Sequence, residues 1–265
     1  MTTKENIRHS ACKWCYDDLD FDDFCREGKA MGLTSIDLAD PPDFDTIKKY
    51  DLTCAMVSFP TATLADGTVV GCIEKSFNRL EHHDALEAAY LERIDQTADA
   101  GFTNLICFSG NKEGQSDEEG IENCAIGLKR ILGHAEKRGV VITMELLNSK
   151  VEHPDYQCDH TAWGVALCKQ IGSEHFKLLY DIYHMQVMEG DIIATIREFH
   201  PYFSHYHTGG APGRNEIDET QELYYPAIMQ AIIETGYKGH VAQEFVSTNP
   251  DKLVSLRTAV GICDV

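Results

Sequence analysis

The 265-residue sequence is short of positive charge: 23 Lys and Arg stand against 43 Asp and Glu, a formal net charge of −20. So acidic a surface repels nucleic acid and anionic membranes at long range, and neither is expected as a partner. A small anionic substrate stays open, because a bound cation reverses the field locally. No apolar run reaches about 18 residues, so no membrane span is expected. The opening segment Met1–Ser10 carries charge but no apolar core region, unlike a signal peptide. The ten cysteines, from Cys12 to Cys263, follow no regular spacing. Without an export signal they read as reduced thiols of a cytoplasmic protein. Cys12-Lys13-Trp14-Cys15 has C-x-x-C spacing, but no thioredoxin-like context or second cysteine pair accompanies it. No linker rich in Pro, Gly or Ser and no low-complexity tract interrupts the chain, so residues 1–265 read as one domain. No G-x-G-x-x-G follows the first candidate strand, which weighs against an open dinucleotide-binding sheet.

What the sequence has is rhythm. Strands are expected at Ile7–Ala11, Thr34–Leu38, Leu52–Phe59, Thr103–Phe108 and Val140–Leu147. Three more end at Asp181, start at Phe203, and end at Glu244. Helices are expected at Phe21–Met31, Phe44–Tyr50, Glu81–Ala100, Asp117–Arg138, Thr161–Ile171, Ile192–Phe199 and Tyr224–Thr235. Gly32 and Gly139 close two of them. The first carries a stripe of Phe21, Phe24, Cys25 and Ala30; the third, one of Ala85, Ala88, Ala89, Leu91, Ile94 and Ala98. A last helix is expected to begin at Pro250, since proline suits a first turn. Acidic groups of Glu81-His82-His83-Asp84 are expected to favour a helix start. Pro60–Ser76 reads as a long loop near the mouth of a site. About eight strand–helix units predict a closed (β/α)8 TIM barrel, a single α/β domain.

In such a barrel the site lies at the carboxyl ends of the strands. Lys177–Met185 is an apolar stretch that turns polar at Asp181 and His184. Buried charge of that kind needs a partner. Glu145, His207 and Glu244 end three further strands in the same way. These four residues are the predicted ligands of one divalent metal. Three carboxylates and one imidazole suit Mn2+ or Mg2+ best; Co2+, Fe2+ and Zn2+ also fit. Strand alternation puts His205 on the same side as His207. Lys13 and Trp14 follow the first strand and are placed at the pocket mouth; Glu152, His153 and Tyr156 follow the fifth.

Tyr180-Asp181-Ile182-Tyr183-His184-Met185-Gln186, then Met188-Glu189-Gly190-Asp191, resembles the signature of the hydroxypyruvate isomerase family. Ala211-Pro212-Gly213-Arg214-Asn215-Glu216 resembles its P-G-R-x-E segment, and Gly236-Tyr237-Lys238-Gly239 before Glu244 its G-Y-x-G-x-x-x-x-E strand. That family belongs to the xylose-isomerase-like metal-dependent barrels, and the likeness runs from Val140 to Phe245. The resemblance implies that Glu145 and Glu244 bind metal and move the substrate proton, with Asp181 a further ligand. It departs at His207, where hydroxypyruvate isomerases carry glutamine and ketose 3-epimerases carry histidine.

The expected chemistry is proton transfer through a cis-enediolate of a small hydroxy-carbonyl substrate, with hydroxypyruvate the named candidate. His184, Arg214 and His205 are assigned to substrate oxygens, and an arginine matches a carboxylate through paired hydrogen bonds. The alternative is a sugar or cyclitol enzyme, such as a ketose 3-epimerase or an inosose dehydratase, which His207 favours. A DNA-repair endonuclease of related fold would need a basic groove, and the charge opposes it. A non-catalytic metal- or sugar-binding barrel is the last reading. Barrels of this group often pair, so a homo-oligomer is compatible with the resemblance.

Overall fold

The computed structural model describes Lys4 and residues 6–265; Met1–Thr3 and Glu5, in the opening segment read as lacking a signal, lie outside the described residues. The strands are β1 Arg8–Ala11, β2 Ala62–Thr63, β3 Val69–Val70, β4 Asn104–Cys107, β5 Val141–Glu145, β6 Phe176–Asp181, β7 Phe203–Thr208 and β8 His240–Gln243. The helices are α1 Phe21–Met31, α2 Phe44–Lys49, α3 His83–Asp99, α4 Asp117–Arg138, α5 Thr161–Ile171, α6 Ile182–Met188, α7 Ile192–Phe199, α8 Tyr225–Glu234 and α9 Lys252–Cys263. They pack as two compact units. One comprises the described residues up to Met56, Asp181–Pro201 and His205–Val265; the other, Val57–Tyr180 and Tyr202–Ser204.

In the first unit β8 lies between β1 and β7, parallel to both, with Arg8 opposite His240 and Thr208 opposite Gln243. Beyond β1 the chain at 33–38 runs alongside it: Asp37 N–H donates to Ala11 O at 2.8 Å and Lys13 N–H to Asp37 O at 2.9 Å. The expected strands at Thr34–Leu38 and Leu52–Phe59 form single parallel bridges, not continuous ladders. Two local features interrupt them. Ser35 Oγ accepts from Ala55 N at 2.8 Å, where a ladder would offer a backbone carbonyl. Leu38 turns to φ 57°, outside the strand region. Helices α1 and α9 pack together, and α6, α7, α8 and α9 follow one another as neighbours.

Helix α1 forms where expected. Asp20 accepts from Asp23 N at 3.0 Å to cap its start, and Gly32, at φ 104°, ends it. Its buried face is Phe24, Cys25, Gly28 and Met31; Ala30 points to solvent. Helix α6 was not expected, because the run from Ile182 is as apolar as the strand before it. Asp181 caps it, and almost every residue is buried, so no polar face marks the helical period. Helix α9 starts at Lys252 with Asp251 as its cap, so Pro250 precedes the first turn rather than opening it.

In the second unit β4, β5 and β6 are parallel neighbours, with Asn104 opposite Val141 and Glu145 opposite Leu179. Val57 bridges to Leu105. Helix α3 buries Leu86, Tyr90, Ile94 and Thr97, not the alanine stripe; larger side chains take the inner face, and Ala88 is exposed. No side chain caps α3; His82 and His83 instead bind the carbonyls of Ser76 and Phe77, each at 2.9 Å. The expected loop at 60–76 contains the antiparallel pair β2–β3. Among the described residues all ten cysteines are free, and no helix is long and apolar enough to cross a membrane.

Candidate metal centre

The first unit brings Asp181, His207 and Glu244 together: each offers a ligand atom within 4.8 Å of the others. Asp181 and His207 are wholly buried and Glu244 is 2% exposed. Asp181 closes β6 and its Oδ1 accepts from His184 N at 2.8 Å, so one residue ends the strand, starts α6 and presents a carboxylate. His207 lies on β7, its Nδ1 2.9 Å from Glu244 Oε2. Glu244 follows β8, where its N–H donates to Thr208 O at 3.1 Å.

Both oxygens of Glu244 are held. Trp14 Nε1–H donates to Oε1 at 2.7 Å, and Arg214 Nη2 donates to Oε2 at 2.6 Å. The Arg214 guanidinium lies between two rings, 5.2 Å from that of Trp14 and 5.9 Å from that of Tyr183. Its backbone is at φ 55°, a strained conformation outside glycine. The surrounding loop accounts for that. Val246 N–H donates to Arg214 O at 2.7 Å. Glu216 accepts from Ser247 Oγ at 2.8 Å, Thr248 N at 2.7 Å and Ser255 Oγ at 3.0 Å. Segment 210–216 is thereby pinned to the chain that leaves Glu244. Gly210 must be glycine: a Cβ there would meet Glu216 O at 2.1 Å.

Charge follows geometry. Burial pushes the Glu244 carboxyl up, but His207 and Arg214, with the Trp14 hydrogen bond, hold it well below its usual value. Burial pulls the His207 imidazole down, but Cys12, Glu244 and Asp37 raise it well above. Cys12 Sγ is 3.7 Å from His207 Nε2, and burial pushes that thiol well up.

Glu145 stands in the second unit, at the carboxyl end of β5 and 4% exposed. Its backbone carbonyl accepts from Tyr156 Oη at 2.9 Å, and that hydroxyl accepts from Ser109 N at 3.1 Å. His184 is fully buried on α6. Lys13 turns to Asp43 at 2.7 Å and lies 4.9 Å over the Phe21 ring. His205 shares the face of His207, the ring centroids 5.2 Å apart, and its Nε2 bonds Asp37.

Asp37 is the residue that sequence reasoning passed over. It is wholly buried, and its Oδ1 accepts from Ser10 and from Ser35, the latter at 3.3 Å. Its Oδ2 faces His205 Nε2 and, at 3.5 Å, His207 Nε2. Burial pushes the carboxyl up, yet the two imidazoles hold it below its usual range. Its signal was weaker than that of the other four: a carboxylate near the end of the expected strand Thr34–Leu38, where Thr34 and Ser35 leave no clear apolar run.

Among curated proteins, the 2-oxo-tetronate isomerase of Cupriavidus necator is 31% identical over 111 residues, 42% of each chain. The D-psicose 3-epimerase of Ruminiclostridium cellulolyticum is 29% identical over 127 residues, 46% of this chain and 40% of that one. The hydroxypyruvate isomerase of Escherichia coli is 28% identical over 109 residues, 41% of this chain and 42% of that one. The chain thus spans less than half the length of these relatives. Among solved structures, an AP endonuclease, family 2, from Brucella melitensis superposes with a TM-score of 0.79 at 22% identity, over 94% of this chain and 96% of that one. A family model described as "Xylose isomerase-like TIM barrel" matches residues 45–257, well over half the chain. The α/β architecture expected from the strand–helix rhythm is the one these matches share, and the chain belongs to the xylose isomerase-like TIM barrel family.

Proposed function

We propose that this chain is a divalent-metal-dependent isomerase that moves a proton on a small hydroxy-carbonyl substrate, in the manner of a hydroxypyruvate isomerase. The observation that carries the reading is the buried group of Asp181, His207 and Glu244, with both oxygens of Glu244 held by Trp14 and Arg214. Two carboxylates and an imidazole in so dry a place suit a divalent cation, and their oxygen-rich character favours Mn2+ or Mg2+. Glu145 is the proposed fourth ligand. It closes β5 as Asp181 closes β6, a buried carboxylate at a strand's carboxyl end.

A divalent cation supplies Lewis acidity, which makes the hydrogen on the carbon between carbonyl and hydroxyl more acidic. The protein's residues do the rest. Glu244, kept ionised and fixed by two donors, removes or returns that proton, and Glu145 serves the other transfer. Arg214, braced between Trp14 and Tyr183, offers its N–H groups to an anionic end of the substrate. The relatives named for hydroxypyruvate and 2-oxo-tetronate fit such an end. One observation favours a second reading, a ketose 3-epimerase: the ligand on β7 is histidine, as the resemblance assigns to those enzymes, and a D-psicose 3-epimerase is among the relatives.

Solvent exchange of the substrate's carbon-bound proton, followed by NMR, tests both readings. Hydroxypyruvate and a panel of ketoses are incubated with Mn2+-loaded protein, and the substrate that exchanges identifies the class. Chelation is expected to stop exchange and added Mn2+ to restore it. Glu145→Gln and Glu244→Gln are each expected to remove most of it. No exchange from any substrate by metal-loaded protein ends the isomerase reading.

A further inference from the structure

We propose that Asp37 is a positioning residue: it holds a proton on His207 Nε2 and so turns the Nδ1 lone pair toward the cation. The inference rests on the metal reading above and adds a residue to it. An imidazole ligates through an unprotonated nitrogen, so the partner of its other nitrogen decides which edge faces the metal. His207 Nδ1 lies on the Glu244 side at 2.9 Å. Its Nε2 lies on the opposite edge, facing Asp37 Oδ2 at 3.5 Å and Cys12 Sγ at 3.7 Å. A buried thiol is a weak acceptor; a carboxylate is a strong one. Asp37 therefore outcompetes Cys12 for the Nε2 proton.

Asp37 is itself locked. Ser10 and Ser35 donate to its Oδ1, and His205 Nε2 bonds its Oδ2 from the same face of the sheet as His207. Each of these residues is fully buried. The carboxylate cannot rotate away without leaving several polar groups unsatisfied. His205 thus acts through Asp37, and the His205-x-His207 spacing on β7 has a stated use: one ring for the cation, one to fix the carboxylate that orients it. The rival reading is that Asp37, His205 and His207 bind a second cation, since their ligand atoms also lie within 4.8 Å.

Two measurements decide. The first needs no Asp37 variant: the ring nitrogens of His207 in the Mg2+-saturated protein are read by long-range nitrogen–proton NMR and assigned by their loss in His207→Gln. Protonated Nε2 with unprotonated Nδ1 is expected; unprotonated Nε2 overturns the inference. The second is Mn2+ binding, by stoichiometry and affinity. The wild type is expected to take one ion, and Asp37→Asn, measured well below its own metal-free thermal midpoint, to weaken it by about tenfold or more. Unchanged Mn2+ affinity in Asp37→Asn overturns this inference and leaves the metal reading standing. Two ions in the wild type and one in Asp37→Asn make Asp37 a ligand, and also overturn it. No Mn2+ binding by the wild type overturns both readings together.

Discussion

At the scale of single residues, the candidate site depends on how Glu244 is held. Trp14 does so from 230 positions away in the chain. Trp14→Phe keeps an aromatic ring beside Arg214 but removes the indole N–H together with part of the ring system. A hydrogen bond to a charged group contributes about 1.5 kcal/mol at the low end, so proton exchange should slow roughly tenfold. The fall is expected in kcat, because the bond orients the proton carrier; a rise in KM alone would make Trp14 only a wall of the pocket. Sequence reading placed Trp14 at the pocket mouth from its position after the first strand. It could not give the bond, since no local pattern encodes a contact across most of the chain. The same limit hid the use of His205, whose partner Asp37 lies 168 positions before it. Asp181, His207 and Glu244 were legible for a different reason. Each stands at or near the carboxyl end of a buried strand, where a titratable side chain needs a partner, although Ser204 and His205 on β7 and Gln243 on β8 dilute the apolar run.

At the scale of elements, periodic segments were readable and aperiodic ones were not. Asp20 and Ser116 cap the starts of α1 and α4, and left-handed glycines end α1, α4 and α5, so local chemistry fixed those limits. The β2–β3 hairpin and α6 have no such period, and tertiary packing decides them. Packing also sets a requirement that sequence does not announce. A Cβ on Gly120 of α4 would stand 2.0 Å from Gln157 Nε2. Gln157 is not free to move. Its Nε2 donates to Ser116 O at 2.9 Å, and its Oε1 accepts from Asn78 at 2.8 Å. Gly120→Ala should therefore destabilise the protein by about 1–3 kcal/mol through overpacking, although alanine favours a helix by about 1 kcal/mol over glycine. Urea unfolding checks the sign. A stabilised variant would mean that Gln157 yields and that the helix preference wins.

At the scale of the whole molecule, acid should act in two windows. Burial holds the His240 imidazole down at about 4, against 6.5 in the unfolded chain; His205, Arg8 and His9 add to the effect and Asp37 opposes it. Below pH 6.5 the unfolded chain binds a proton at His240 that the folded chain refuses until about pH 4, so stability falls across that interval as pH drops. Burial lowers His9 and His83 as well, which steepens the same limb. Glu216 opens the second window. Burial pushes its carboxyl up, but the hydrogen bonds from Ser247, Thr248 and Ser255 prevail and hold it at about 2 against 4.5. Its contribution is complete above pH 4.5 and is lost as pH falls toward 2, releasing the loop that follows Glu244. The windows separate by substitution. His240→Gln has no proton to bind, so between pH 7 and pH 4.5 it should lose about 2–3 kcal/mol less stability than the wild type. Glu216→Gln should match the wild type across that interval and diverge only below it. Urea unfolding curves at stepped pH measure both. If wild type and His240→Gln decline in parallel, burial does not exclude the imidazolium, and the first window belongs to other groups.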